Sequence, residues 1–322
     1  MMCRICSDSN EKTSYNVKEM MFGLREVFIY YQCRNCECLQ IADIPLNLDK
    51  YYSKEYYSLV MNPQDFFKGK IRKWLKGKRD YFIITKKGIA GKYIQLLLPN
   101  SSQEWFNFRS ISLNKSSRIL DVGSGTGTIP FIFYNAGFKN IIGIDPYLSD
   151  DIFYSNGLQI KKLSLFEVDN NGWDMVMFNH SFEHVPNPIE YLQKVHSLLK
   201  SEGICVLRIP TVSSFAWENY KTEWVQLDAP RHLFLHSISS IRHMAKVTGF
   251  SVDKINYESS DFQFIGSEQY KMDISLFGEE KSYFRGNKTL FSKEQLDDFK
   301  KRAKKLNKEL QGDSISVILR KK

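Results

Sequence analysis

His180, Glu183 and His184 place two imidazoles and a carboxylate within five residues, in the run NHSFEHVPNP. Imidazole can take up a proton near neutral pH, so such a group suits removal of a proton from a reacting atom. A lone histidine is more often structural; two beside a carboxylate at the end of an apolar run invite a chemical reading. His184 is the first candidate for the base, the structural alternative being that its ring only fixes the loop. Glu183 could orient that imidazole or bind a substrate hydroxyl, and His180 is placed with the substrate-binding residues. A second candidate base, His232, stands in LDAPRHLFLHS. Its neighbour Arg231 could fork onto a phosphate or carboxylate of a substrate, or pair with Asp228.

A second constellation lies upstream, in ILDVGSGTG from Ile119 to Gly127. The apolar run Ile119, Leu120 and Val122 suits a strand buried on both faces of a parallel sheet. Gly123, Gly125 and Gly127 then alternate, and TIPFIFYNAGF reads as a helix with Pro130 in its first turn. A strand, a glycine turn and a helix start make a cradle for a nucleoside-bearing ligand, with Ser124 inside the turn. Asp145, eighteen residues past Gly127, can accept hydrogen bonds from both hydroxyls of a ribose. The spacing is G-x-G-x-G, and Thr128 stands where a dinucleotide fingerprint has its third glycine. Asp121, just before the turn, is awkward beside a pyrophosphate and suitable beside an ammonium group. Asn179, at the end of a later apolar run, completes the expected cofactor set.

The pattern D-x-G-x-G-x-G with a later Asp resembles motifs I and II of the class I S-adenosylmethionine-dependent methyltransferases. The resemblance implies a doubly wound, Rossmann-like α/β fold with S-adenosylmethionine held by Asp121, Gly123, Ser124, Gly125, Gly127, Asp145 and Asn179. The chain in order fits such a sheet. RILDV, NIIGID, LQIKKL, WDMVMFN and GICVLRIP read as five strands, PIEYLQKVHSLLK and SISSIRHMAKVTGF as helices, SVDKINYE as strand, and GDSISVILRKK as an edge strand. Ligands of such sheets sit beyond the carboxyl ends of the strands. That rule assigns Asp121 to Gly127, Asp145, Asn179 to His184 and the loop after Pro210 to one crevice.

Four of the six cysteines form two C-x-x-C pairs, Cys3 with Cys6 and Cys33 with Cys36. Two such knuckles supply the closed thiolate set of a structural Zn²⁺, with no coordination position left for chemistry; free thiols in a small core or a redox pair are the alternatives. Val27, Ile29 and Tyr31 alternate between the pairs like a strand of a zinc ribbon. Phe66 to Lys92 holds ten Lys or Arg against one acid, Asp80, with Ile71, Trp74, Leu75, Tyr81 and Phe82 at helical spacings. Such a basic amphipathic stretch can cap its own domain, lie on an anionic membrane, or meet nucleic acid.

The chain of 322 residues carries a net charge of +9 and is 43% hydrophobic, enough for a full core and an appendage. No apolar leader or spanning run is present, so the expectation is an unsecreted, cytoplasmic protein. The sequence divides into a zinc-binding module over 1–58, a helical cap or linker over 59–116, and a methyltransferase domain over 117–322. Its Trp-rich stretch of about 211–237 reads as a substrate lid.

The paired knuckles, EHV after the fourth strand and DAPRHLFLHS after the fifth together resemble bacterial sugar methyltransferases of polysaccharide gene clusters. In the sugar C-methyltransferases among them a Glu-His pair lies in the sugar site, which implies the same for Glu183 and His184. Those enzymes continue into a further C-terminal domain, whereas this sequence ends at GDSISVILRKK; O-methylation of a hydroxyl therefore stands beside C-methylation. The expected partner is a small-molecule or glycan substrate. Methylation of another metabolite or of a lipid is the alternative. RNA ranks lower, because Asn179-His180-Ser181-Phe182 lacks the prolines of the N-P-P-Y type motif in amino-group methyltransferases.

Overall fold

The structure, a computed structural model, describes residues 2–10, 12–52, 61–67, 69–99 and 113–322. The last six residues of YYSKEYYS and all but the last residue of EWFNFRSISL lie outside the described residues. In chain order the strands are β1 (Lys12–Lys18), β2 (Val27–Cys33), β3 (Leu39–Ile41), β4 (Ile119–Val122), β5 (Ile141–Ile144) and β6 (Ile152–Phe153). They continue with β7 (Gln159–Lys161), β8 (Trp173–Asn179), β9 (Leu199–Pro210), β10 (Phe234–Leu235), β11 (Phe250–Tyr257) and β12 (Ser314–Lys321). The helices are α1 (Lys70–Thr85), α2 (Ile89–Leu97), α3 (Thr128–Ala136), α4 (Pro188–Leu198), α5 (Phe215–Tyr220), α6 (Ile238–Val247), α7 (Phe262–Lys271) and α8 (Lys293–Lys308). No helix among the described residues is long and apolar enough to cross a membrane.

The chain packs as two compact units that interleave in sequence. The first takes residues 1–53, 182–192 and 208–317; the second takes 54–181, 193–207 and 318–322. They cut across the three consecutive sequence segments.

The second unit carries the parallel strands β8-β4-β5-β7, with β6 antiparallel on the outside and β9 on the other side of β8. Register places Asp121 opposite Gly143 on one side and Met177 on the other, so β4, β5 and β8 end at one level. β4 is buried at every position, which is why its text is apolar without alternation. Helix α3 begins directly after Gly127 and stops at Gly137, whose φ of 109° closes the helix onto the carbonyls of Phe133 and Tyr134. Phe131, Phe133, Phe138, Ile141, Ile160 and Met175 fill the core beneath it.

The first unit holds the antiparallel order β1-β2-β3-β10, together with β11 and the start of β12. One expectation is corrected here. GDSISVILRKK forms β12, but between β11 and β9 and not at an edge; its first six residues are all buried, and an interior place buries both faces. The expected strand between the knuckles is β2. Of its alternating residues Val27 and Ile29 are exposed and Tyr31 is buried, as is the neighbouring Tyr30, whose hydroxyl donates to the His232 carbonyl at 2.8 Å.

The stretch expected as a lid is largely buried in this structure. Trp217 and Trp224 are both 0% exposed, Leu227, Leu233, Phe234 and Leu235 are buried with them, and the Trp224 indole donates to Asp313 at 3.0 Å. Large apolar groups at that depth make the segment interior packing.

Beside it Arg231 is itself 0% exposed, with Nη2 2.8 Å from Glu19 and 2.6 Å from Asp228 and Nη1 donating to the Tyr51 carbonyl at 2.8 Å. Within the unit the guanidinium is held by Glu19, Asp228 and the Tyr51 carbonyl, so the ion pair with Asp228, the alternative to binding substrate, is present. Removing one partner of such a pair strands the others, at a cost of about 3–5 kcal/mol. Arg231→Met is therefore expected to lower the Tm by roughly 6–20 °C, at about 2–4 °C per kcal/mol for a chain of this size. Calorimetric or fluorescence melting checks it.

Candidate active site

The glycine turn sits where β4, β5 and β8 end. The backbone N–H of Gly123 donates to the Ile144 carbonyl at 2.9 Å and that of Ser124 to the same oxygen at 3.1 Å, folding the turn over the end of β5. Gly123 has φ 71°, and a Cβ there would stand 2.5 Å from the Cβ of Ser181. Gly127 has φ 88°, and its Cβ would stand 2.3 Å from Ile160. Conformation and space both require glycine at these two positions.

The two aspartates of the cradle live in different environments. Asp145 accepts the Gly125 N–H on one oxygen and the Tyr147 N–H on the other, both at 2.9 Å. Each oxygen can take a further bond, as a ribose diol requires. Asp121 is 1% exposed, and the Asn179 amide donates to it at 3.2 Å. Burial, partly offset by that amide and reinforced by the charge of Asp145, pushes its carboxyl up to about 8. A buried acid of this kind ionises readily only when a cation is brought to it.

Within the first unit, Glu183, His184 and His232 offer ligand-type atoms that all lie within 4.8 Å of one another. His184 Nδ1 is 2.8 Å from the Arg231 carbonyl, an acceptor, so this nitrogen must carry the proton and Nε2 keeps the lone pair. The Tyr52 hydroxyl oxygen, 3.2 Å from Nδ1, can share that N–H. Burial first, then the neighbouring His232, lower the His184 pKa below the usual imidazole value. His232 repeats the anchoring, with Nδ1 2.7 Å from the Gln226 carbonyl. Its Nε2 lies 3.9 Å from Glu183 and 3.8 Å from Asp228, and its ring centroid is 4.8 Å from that of His184. His232 is 7% exposed and Glu183 0%, whereas His184 is only half-buried.

A family model described as a methyltransferase domain matches residues 94–255, half of the 322-residue chain. The chain belongs to that family. It is a class I S-adenosylmethionine-dependent methyltransferase. Among solved structures it is similar to a SAM-dependent methyltransferase from Archaeoglobus fulgidus, at 20% identity over 64% of this chain and 86% of that chain, with a TM-score of 0.39. It is also similar to the cyclopropane synthase MmaA2 from Mycobacterium tuberculosis, at 14% identity over 66% of this chain and 80% of that one, with a TM-score of 0.42. No curated protein matches the chain.

In the methyltransferase, Asp121, Gly123, Ser124, Gly125, Gly127, Asp145 and Asn179 come together within the second unit. Glu183, His184, His232 and Arg231 come together within the first. His180 is half-buried with a φ of 50°, in the turn that ends β8.

Several contributors escaped the sequence reading. Ser181 donates to the Val122 carbonyl at 2.7 Å and holds the end of β8 against the turn. Thr126 donates to the Met61 carbonyl, and Tyr154 to the Thr126 carbonyl at 2.6 Å. Glu19 is a long-range partner of Arg231. Thr126 and Ser181 lie within stretches already singled out, at positions with no assigned role, and only the density of tyrosines in YYSKEYYS hinted at Tyr52.

The thiols of Cys3, Cys6, Cys33 and Cys36 also lie within 4.8 Å of one another. Cys3 and Cys36 sulfurs are 3.6 Å apart and those of Cys6 and Cys33 3.7 Å, too far for a disulfide. A tetrahedral ion with bonds of 2.3 Å sets sulfurs about 3.8 Å apart, so the spacing fits. The two knuckles repeat one turn. Ser7 N–H closes onto the Cys3 carbonyl at 2.9 Å and Glu37 N–H onto the Cys33 carbonyl at 2.8 Å, with φ 58° and 60° at the closing residues.

The buried acid gives the cofactor site a pH signature. Below about pH 8 Asp121 is largely protonated, and pairing with an ammonium releases that proton. S-adenosylhomocysteine is therefore expected to bind up to about tenfold more tightly per pH unit between pH 6 and 7, levelling off near pH 8. Titration calorimetry in buffers of different ionisation heat reads the proton directly, and Asp121→Asn should flatten the dependence.

Proposed function

We propose that this methyltransferase transfers the methyl group of S-adenosylmethionine to a sugar, at a hydroxyl or a carbon, with His184 as the general base. The sugar is nucleotide-linked or part of a glycan or polysaccharide precursor. The observation that supports the base assignment is the 2.8 Å bond from His184 Nδ1 to the Arg231 carbonyl, which leaves Nε2 as the acceptor. The lowered pKa keeps that imidazole neutral at physiological pH. The sugar reading rests on the combination of knuckles, Glu183-His184 and DAPRHLFLHS described above.

The cofactor supplies a methyl already activated on a sulfonium; the chain has to bind, orient and deprotonate. Asp121 would hold the ammonium and Asp145 the ribose diol, while Gly123, Ser124, Gly125 and Gly127 give the backbone surface and Asn179 fixes Asp121. His184 Nε2 would accept the acceptor's proton as the new bond to the methyl forms and the sulfonium bond breaks. Glu183, whose carbonyl accepts the Leu233 N–H at 2.9 Å, would orient the imidazoles or a substrate hydroxyl. His232 stands as the reserve base and His180 as a substrate contact.

His184→Ala is expected to cut kcat by about 10²–10⁴, the usual worth of a positioned base. Its Kd for S-adenosylhomocysteine should stay within about twofold, since an independent cofactor site adds nothing to the loss. Turnover at the parental rate would reject His184. Incubation with labelled cofactor and fractionated nucleotide-sugar and glycan pools, read by mass spectrometry, tests the acceptor. Label appearing only in lipid, another metabolite or RNA would replace the sugar reading.

The four thiols are proposed to hold one structural Zn²⁺. Donors fitting this ion also come from the backbone and side chains around it: Gln40 donates to the Cys3 sulfur at 3.1 Å and Asn35 to the Cys6 sulfur at 3.6 Å. Cys36→Ser should lower the zinc content from one equivalent towards none and destabilise the fold by more than about 4 kcal/mol. Elemental analysis with thermal melting measures both.

A further inference from the structure

Helices α1 and α2 leave large apolar side chains in solvent that their own packing does not use. α1 buries Gly77, Asp80, Ile83, Ile84 and Thr85, and Gly91 of α2 approaches so closely that a Cβ there would stand 2.3 Å from the Lys78 carbonyl. What remains outside is the wrong chemistry for water. Ile71 is 77% exposed, Trp74 56%, Ile89 78%, Tyr93 62%, Leu96 69% and Leu97 80%. Ile71 and Trp74 are three apart on α1, and Ile89, Tyr93 and Leu96 fall at i, i+4 and i+7 on α2, so each set runs as a stripe along its helix. Among the described residues the same stretch, up to Lys92, carries nine Lys or Arg. Its one acid, Asp80, is 1% exposed and already faces Arg79 at 3.2 Å. The solvent side of the hairpin is therefore cationic and apolar together.

We propose that the α1–α2 hairpin is a docking surface for an anionic membrane, with its aliphatic and indole side chains entering the interface while the lysines and arginines meet lipid phosphates. The proposal goes beyond the methyl-transfer reading and does not depend on which acceptor is methylated.

The composition of the exposed set separates the possible occupants. Nucleic acid would use the cations, but bases stack on rings, and Ile71, Ile89, Leu96 and Leu97 offer none. A second copy of this chain would bring two such cationic hairpins together, which like charges oppose. Acyl chains take aliphatic and indole groups, and anionic head groups take the cations, so a lipid surface answers both features at once.

The test is flotation of the full chain with phosphatidylcholine vesicles and with vesicles containing added phosphatidylglycerol, at low and high salt. Binding is expected to the anionic vesicles only and to weaken with salt. Trp74→Ser with Leu97→Ser should weaken it by at least about tenfold, and Lys70→Glu with Arg72→Glu by on the order of fivefold or more per site, at unchanged melting temperature. If a variant fails to fold, the salt and lipid dependence of the parental chain still decides. Absence of binding, equal binding to neutral vesicles, or insensitivity to the apolar pair would overturn the proposal. Tight RNA binding without vesicle binding would do the same, as would a dimer that the apolar pair dissolves.

Discussion

The cofactor cradle is governed by a carboxyl group kept out of water. Asp121 ends a strand buried at all four positions, and its neighbour in charge is another acid, Asp145. A neutral amide from Asn179 is the hydrogen bond it receives within hydrogen-bonding distance. A carboxyl in that state is costly to ionise alone and is stabilised by a cation brought to it, which is the role proposed for it towards the ammonium of the cofactor. Asp145, one strand across, is arranged oppositely. Two backbone N–H groups, those of Gly125 and Tyr147, donate to its oxygens. Two aspartates of similar burial thus differ in the hydrogen bonds they receive.

In the first unit the organising group is Arg231, although it touches no substrate in this reading. Its guanidinium ties Asp228 and Glu19 together in the interior, and its backbone N–H closes a turn onto the Asp228 carbonyl at 2.9 Å. That turn sets the direction of the Arg231 carbonyl, and the carbonyl sets the tautomer of His184. The next residue, His232, closes onto the same Asp228 carbonyl at 3.2 Å and is anchored at Nδ1 by Gln226. A buried ion pair therefore fixes the backbone on which the proposed base is anchored.

The cysteine knuckles show the same logic at shorter range. Each C-x-x-C closes by a bond from the fourth residue onward back to the first cysteine, and the left-handed residues at Ser7 and Glu37 turn both thiols inward. Because β1 and β2 pair in register from Lys12 opposite Cys33 to Lys18 opposite Val27, the second knuckle is carried back to the first. The strand text between them secures this by pairing; its inward face is the one that bears Tyr30.

Local order determined much of this protein from its sequence alone. The alternating glycines with Asp121 and Asp145, the apolar runs of β4, β5, β7, β8 and β9, the helix with Pro130 in its first turn, and the pairing of cysteines all depend on neighbours within a few residues or on a fixed spacing. Such features survive being read one dimension at a time. What required the tertiary structure were the partners brought from far along the chain. Glu19 meeting Arg231, Tyr52 meeting His184, Ser181 locking Val122 and β12 entering between β11 and β9 have no spacing that announces them. The Trp-rich stretch of 211–237 went the same way: its length suggested a lid, but burial is a property of everything packed around a segment, and only the folded chain places Trp217 and Trp224 out of water.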